Sequence, residues 1–264
     1  MLVDESARPR LATMNLVLLE QEEVRPDGTA RLGAARLQHL REVLRSGPGS
    51  TLRAGVLGGR TGTAEVLALG EAEAVLRLTL DRSPPPRPGV DLVLAMPRPK
   101  ALRRILAASA SMGVDRLVLL AAARVEKSYF ASPVLQPERI RKHLLDGLEQ
   151  AQDTVLPEVH LEPRFRPFVE DRMDALLGPG ERWLLHPGDE GPRTPSDEGR
   201  LALAVGPEGG WVPFERDLLQ SRNFRPLGFG PRTLRTETIV PYALGWATGR
   251  RRAADRLYLG AGRR

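Results

Sequence analysis

Residues 201–235 read LALAVGPEGGWVPFERDLLQSRNFRPLGFGPRTLR, and the fold is decided by this stretch. Residues 201–205 form an apolar run of strand length that stops at the turn Gly206-Pro207-Glu208-Gly209-Gly210. Pro213-Phe214-Glu215 follows shortly after. Proline suits a first helical turn, and an early acid is favoured by the helix dipole. The glycine turn therefore lies between a strand and a helix N-terminus, where backbone N–H groups can approach a ligand with no Cβ in the way. A second unit repeats the arrangement: a strand at 225–229 ends in Gly228-Phe229-Gly230-Pro231 and leads through Arg232 and Arg235 into a helix expected from about Thr236. Two glycine loops at the carboxyl ends of neighbouring strands make a cleft, the usual place for a ligand in an α/β sheet.

Upstream, the same alternation continues. Strands are expected at 90–96, 116–120, 158–161 and 182–186, the last ending in His186-Pro187-Gly188. Helices are expected at 100–112, with Leu102, Ile105, Leu106 and Ala110 on one stripe, and at 137–151 and 165–177. This order predicts an α/β fold with a mostly parallel sheet covered on both faces. The N-terminal part reads differently. Strands at 15–19, 50–57, 63–67 and 74–80, separated by turns such as Gly58-Gly59 and Gly62, predict a small β-barrel. A helix is expected at 34–44, with Leu37, Leu40 and Leu44 on one face and His39, Arg41 and Arg45 around it. Ser83-Pro84-Pro85-Pro86-Arg87-Pro88-Gly89 is a stiff linker, so the domains are expected at 1–82 and 90–264.

Composition narrows the chemistry. The 264 residues contain no cysteine, which excludes disulfides and thiol chemistry, and the four histidines have no metal-ligand spacing, so no metal is expected. No GxxxxGK[ST] loop or HExxH helix is present, and GFGPRT breaks the dinucleotide pattern at its last glycine. Asp4 and Glu5 precede any apolar run, and no stretch is long enough to span a bilayer; a cytoplasmic protein without a membrane partner is expected. A formal charge of +6 and a pI near 10.4 suit a polyanionic partner. Lysine occurs only at Lys100, Lys127 and Lys142, so nearly all the basic charge is arginine.

Gly206-Pro207-Glu208-Gly209-Gly210 followed by Leu227-Gly228-Phe229-Gly230-Pro231-Arg232-Thr233-Leu234-Arg235-Thr236-Glu237-Thr238 resembles the two hallmark motifs of the RsmE family. Members are SPOUT-superfamily methyltransferases that methylate N3 of a uridine in 16S rRNA. Residues 38–45, Pro97-Arg98-Pro99-Lys100, Gly113-Val114 and Glu149-Gln150-Ala151 extend the resemblance over both domains. It implies a PUA-like RNA-binding barrel at the N-terminus, a C-terminal trefoil knot, a homodimer and S-adenosylmethionine as cofactor. The loops implied to hold that cofactor include His186, Pro187, Val205, Gly206, Glu208, Gly209, Gly210, Leu227, Gly228, Pro231 and Leu234. The RNA contacts it implies fall on His39, Arg41, Arg45, Lys100 and Arg103. Two departures stand out. Ser111-Met112-Gly113 replaces the family's common Glu-Leu-Gly, and Ala151-Gln152-Asp153-Thr154 puts an acid where a base is usual, near the expected RNA side.

Methylating a uracil N3 requires that its proton leave and that the charge developing on the flanking carbonyl oxygens be stabilised. Arg235 suits the second task, with Arg232 its competitor; Glu237 or Glu208 suits the first. Glu208 as a turn residue tied to backbone amides, and Glu237 as a helix-capping acid, are the structural alternatives. The rival functions are a SPOUT methyltransferase for another rRNA or tRNA nucleotide and a non-catalytic RNA-binding assembly protein on the same fold.

Overall fold

The computed structural model describes residues 15–34, 36–37, 47–188 and 199–260, with 250–260 as backbone only. The chain divides into two compact units, Met1–Pro85 with Leu148–Leu156, and Pro86–Gly147 with Pro157–Arg264.

The first unit holds a five-stranded sheet of β1 (Val17–Leu19), β2 (Thr29–Gly33), β3 (Thr51–Val56), β4 (Thr61–Leu69) and β5 (Glu73–Arg82) in the order β1-β3-β4-β5-β2. β1 runs parallel to β3, and the other pairs are antiparallel. Leu19, Leu32, Leu52, Leu76 and Val66 fill its core. The strand β2 escapes a reading by pattern because only Ala30 and Leu32 alternate inward over its five residues. Gly62, expected in a turn, lies inside β4, where a Cβ would meet Thr79 O at 2.0 Å. It marks a register shift between β4 and β5, so its lack of a side chain serves a close strand approach. Of the helix expected at 34–44, residues 34, 36 and 37 are helical; His39, Arg41 and Arg45 lie outside the described residues.

Asp153 corrects one expectation. Rather than facing RNA, it is 6% exposed, and its Oδ1 accepts hydrogen bonds from Thr154 N at 2.6 Å and Val155 N at 3.1 Å. The acid fixes the turn that follows the helix Pro137–Ala151.

The second unit is built on six strands: β6 (Val90–Ala95), β7 (Arg116–Leu120), β8 (Glu158–Glu162), β9 (Gly180–Leu185), β10 (Arg200–Val205) and β11 (Phe224–Leu227). All are parallel, in the order β11-β9-β10-β6-β7-β8. Every residue of β6 is buried, as a strand covered on both faces requires. Val93, Ala95, Ala202, Ala204 and Leu184 join Phe168, Met173, Trp211 and Leu219 in one core layer. The helix Thr236–Gly260 packs on β6 and β10 and against the helix Pro99–Ser111. Pro241 lies inside it. The stretch 165–177 is helical as expected, but its middle, Phe168–Arg172, winds as a π-helix.

Parallel pairing sets the two sheet edges apart. Leu185 is opposite both Val205 and Leu227, and Val205 is opposite Leu94, so these four strands reach their carboxyl ends level with one another. At the amino edge, buried Asp91 takes two hydrogen bonds from Arg200, at 2.6 and 3.1 Å, with Arg116 3.8 Å away. Burial raises the Asp91 carboxyl above its ordinary range, and the Arg200 guanidinium opposes that shift. Charge at the amino edge is thus neutralised internally.

Candidate active site

The loops leaving β9, β10 and β11 enclose an apolar cleft lined by residues that include Leu185, His186, Pro187, Val205, Trp211, Leu227, Phe229, Leu234 and Ile239. Three glycines, Gly206, Gly210 and Gly230, line it as bare backbone. Gly210 donates to Pro207 O at 2.8 Å and closes a turn at φ +74°, which puts Glu208 near the tip. Gly230 also has positive φ (+89°), and a Cβ on either would project into open space. Gly206 is different: its Cβ would stand 3.0 Å from Cδ1 and Nε1 of buried Trp211. That glycine is required by the wall behind it as much as by anything in the cleft.

His186 leaves β9 with its N–H donating to Leu227 O at 3.1 Å. Arg216 Nη1 lies 3.2 Å from Nε2, and Pro187 O lies 2.8 Å from Nδ1. An arginine can only donate and a carbonyl only accept, so the pair selects the tautomer with hydrogen on Nδ1. Arg216 was not anticipated from the sequence, since the helix Pro213–Ser221 presents it to His186 from outside both glycine motifs.

Beside the apolar cleft runs a second one of about 470 Å³, lined by Arg98, Lys100, Ala101, Arg104, Glu208, Thr233, Leu234, Arg235 and Glu237. Four cations against two carboxylates make it electropositive. Lys100, Ala101 and Arg104 share a helix face. Arg103, singled out in the sequence, is exposed and absent from the lining, because at about 100° per residue it falls to the side of that face. Arg104 takes its place. Arg235 stands at the N-terminus of the helix Thr236–Gly260, its carbonyl accepting from Thr238 N and Ile239 N, both at 2.9 Å. Its side chain is exposed.

Glu208, Thr233 and Leu234 line both clefts, so the two adjoin along this wall. Glu208 is not tied to backbone amides: its Oε2 is 2.8 Å from Arg98 Nε. That carboxylate, with Tyr129 nearby, holds the Arg98 guanidinium charged still more firmly. Of the expected residues, His186, Pro187, Val205, Gly206, Glu208, Gly210, Leu227, Leu234 and Arg232 line the apolar cleft, and Lys100, Arg235 and Glu237 line the cationic one. Gly209 lies outside both, its carbonyl accepting from Arg124. Gly228 is buried and Pro231 exposed, and neither is among the lining residues of the two clefts.

Buried Glu215 explains how the loop after β10 keeps its shape. Its Oε2 accepts from Val212 N at 3.1 Å, closing the start of its own helix, while Oε1 accepts from Ala123 N at 2.6 Å in the loop after β7. Sequence spacing reveals the first bond but not the second, which spans ninety-two residues.

Residues 84–248 match a family of RNA methyltransferase domains. The chain is 33% identical over 237 residues to ribosomal RNA small subunit methyltransferase E of Treponema pallidum, covering 86% of this chain and 88% of the relative. The chain belongs to the ribosomal RNA small subunit methyltransferase E family. A second member, from Borreliella burgdorferi, is 24% identical, with 86% and 94% covered. The solved structure of the Neisseria gonorrhoeae family member bound to S-adenosyl methionine superposes with a TM-score of 0.69 at 22% identity, covering 88% of this chain and 96% of that one. At that identity the likeness establishes the family's α/β fold, including the mostly parallel sheet.

The lining residues suit the cofactor of that solved relative. Bare glycine backbone and apolar side chains fit an uncharged adenine, while Glu208 and Arg232, two charged side chains lining it among the described residues, fit a sulfonium and an amino-acid carboxylate respectively.

Proposed function

We propose that this protein transfers a methyl group from S-adenosylmethionine to N3 of a uridine in the 16S rRNA of the small ribosomal subunit. The observation that carries this reading is the shared wall. An apolar cleft for the cofactor and a cationic cleft for RNA meet at Glu208, Thr233 and Leu234, so donor and acceptor can lie in line across it.

When bound, S-adenosylmethionine supplies an electrophilic methyl on a positively charged sulfur. The chain's own residues do the rest. His186, Pro187, Val205, Gly206, Gly210, Leu227 and Leu234 hold the cofactor, and Lys100, Arg104 and Arg98 bind the RNA backbone. Arg235 directs its guanidinium to the carbonyl oxygens flanking N3, where negative charge collects as the proton leaves, with Arg232 placed on the cofactor side. Glu237 or Glu208, both lining the cationic cleft, takes that proton. The N-terminal unit acts as a PUA-like RNA-binding barrel, and His39, Arg41 and Arg45 contact the RNA. The protein works in the cytoplasm as a homodimer, and its C-terminal segments thread a trefoil knot. No helix among the described residues is long and apolar enough to cross a membrane, and no cluster of metal-ligating side chains occurs among them.

The test is methyl transfer from labelled S-adenosylmethionine to small subunits from a strain lacking its own enzyme, followed by nucleoside mass spectrometry. N3-methyluridine at one site is expected. Another methylated nucleoside would move the target, and no incorporation into subunits, free rRNA or tRNA would overturn the reading.

A further inference from the structure

The sheet reverses its winding between β6 and β10. These neighbours are hydrogen-bonded, yet β6 connects onward to β7 on one side while β10 connects to β11 on the other, passing β9. From the loops after them, Met96-Pro97-Arg98 and Pro207-Glu208-Gly209, the chain therefore continues to opposite sides of the sheet. Such a divergence is where open α/β sheets place ligands. The cofactor cleft does not use it, because it lies at the ends of β9, β10 and β11. A separate pocket does, lined by Met96, Pro97, Arg98, Arg124, Glu126, Tyr129, Pro207, Glu208 and Gly209. It holds about 180 Å³, against roughly 10–15 Å³ needed for one water on the same measure.

Its walls are tied in place. Tyr129 Oη donates to Glu126 Oε1 at 2.9 Å, Arg98 reaches both Tyr129 and Glu208, and Arg124 donates to Gly209 O. An apolar floor of Met96 and Pro97 beside a phenol ring suits a flat base. Two guanidiniums at the rim suit the adjoining phosphate. Glu126 keeps acceptor capacity beyond its bond to Tyr129, which favours a base with an exocyclic amine. Because Glu208 lines this pocket and both clefts, an occupant sits immediately beside the transfer position.

We propose that this pocket is a subsite for the nucleotide adjoining the methylated uridine, one bearing an amino group (adenine, guanine or cytosine), with Tyr129 as its stacking platform and Glu126 as its reader. This rests on the RNA methyltransferase reading above, which supplies the substrate class.

The experiment uses the full chain, S-adenosylmethionine and small subunits, comparing wild type with Tyr129→Leu, Tyr129→Phe and Glu126→Gln. Tyr129→Leu is expected to raise the subunit KM about tenfold, as loss of one base stack does, with kcat at saturation within about twofold and cofactor Kd unchanged. Tyr129→Phe keeps the ring and should retain most of the affinity. Subunits reconstituted with an abasic residue on either side of the target should cost wild type a similar factor on one side only, and cost Tyr129→Leu nothing further. A Tyr129→Leu enzyme with an unchanged KM, or an abasic penalty equal in both proteins, overturns the subsite. If wild type transfers no methyl at all, the functional reading fails by itself, and filter-binding Kd values for the same variants still decide whether the pocket takes a nucleotide.

Discussion

Replacing Glu215 probes how the cofactor loop is held. The side chain is 2% exposed and accepts two backbone N–H groups from two different loops, at 2.6 and 3.1 Å. A hydrogen bond to a charged group contributes about 1.5–3 kcal/mol, so two give an upper range of about 3–6 kcal/mol. Ala123 is exposed, so water can replace the carboxylate at its amide. That recovers much of one bond and leaves about 2–4 kcal/mol for Glu215→Ala. Glu215→Gln is isosteric and keeps one acceptor oxygen, but turns its NH₂ toward the other amide. It should therefore be destabilised by about half as much. Urea unfolding of both variants measures this directly, and calorimetric titration with S-adenosylmethionine reads the second effect. Cofactor Kd should rise at least in step with the freedom given to 206–212, more for Ala than for Gln. A Glu215→Ala protein within about 0.5 kcal/mol of wild type, with unchanged cofactor Kd, would refute the view that this carboxylate fixes the loop.

Arg235→Ala should lower kcat by about 2–4 kcal/mol in transition-state stabilisation while leaving cofactor Kd alone; turnover like wild type would remove the arginine from the mechanism. Gly206→Ala forces a Cβ to 3.0 Å from the buried Trp211 ring, and a loss of about 1–3 kcal/mol in thermal stability is expected, with a shift in tryptophan emission as its optical sign. Arg200→Ala strips the fully buried Asp91 of its main partner and should cost about 3–5 kcal/mol by urea unfolding, with cofactor Kd unchanged because this pair lies at the opposite sheet edge. The hydrogen bond from Arg182 holds the Asp174 carboxyl below its ordinary range. Its contribution is therefore present above about pH 4 and is lost as acid takes the pH below that; Asp174→Asn should flatten the acid limb of a stability–pH curve and leave the neutral limb without that slope.

Which residues make the two glycine loops, and that both leave the carboxyl ends of strands, was legible in the chain because both facts are local. An apolar run of strand length, a glycine turn and a proline at the start of a helix are each written within a few residues, and the same holds for the alternation that makes the sheet parallel. The resemblance of Gly206–Gly210 and 227–238 to family motifs depended on the same short stretches. What the tertiary structure alone decided is which loops become neighbours. Strand order inserts β9 between β10 and β11, which the sequence reading had as neighbours, and puts β10 against β6; no spacing in the sequence carries that information. Hence Arg98 on Glu208, Ala123 on Glu215, Arg216 on His186 and the choice of Arg104 over Arg103 emerge only when the sheet is assembled. Asp153 makes the same point in reverse: as a letter it is an acid near RNA, but folded it is a buried turn, because two backbone amides meet its carboxylate before any solvent does.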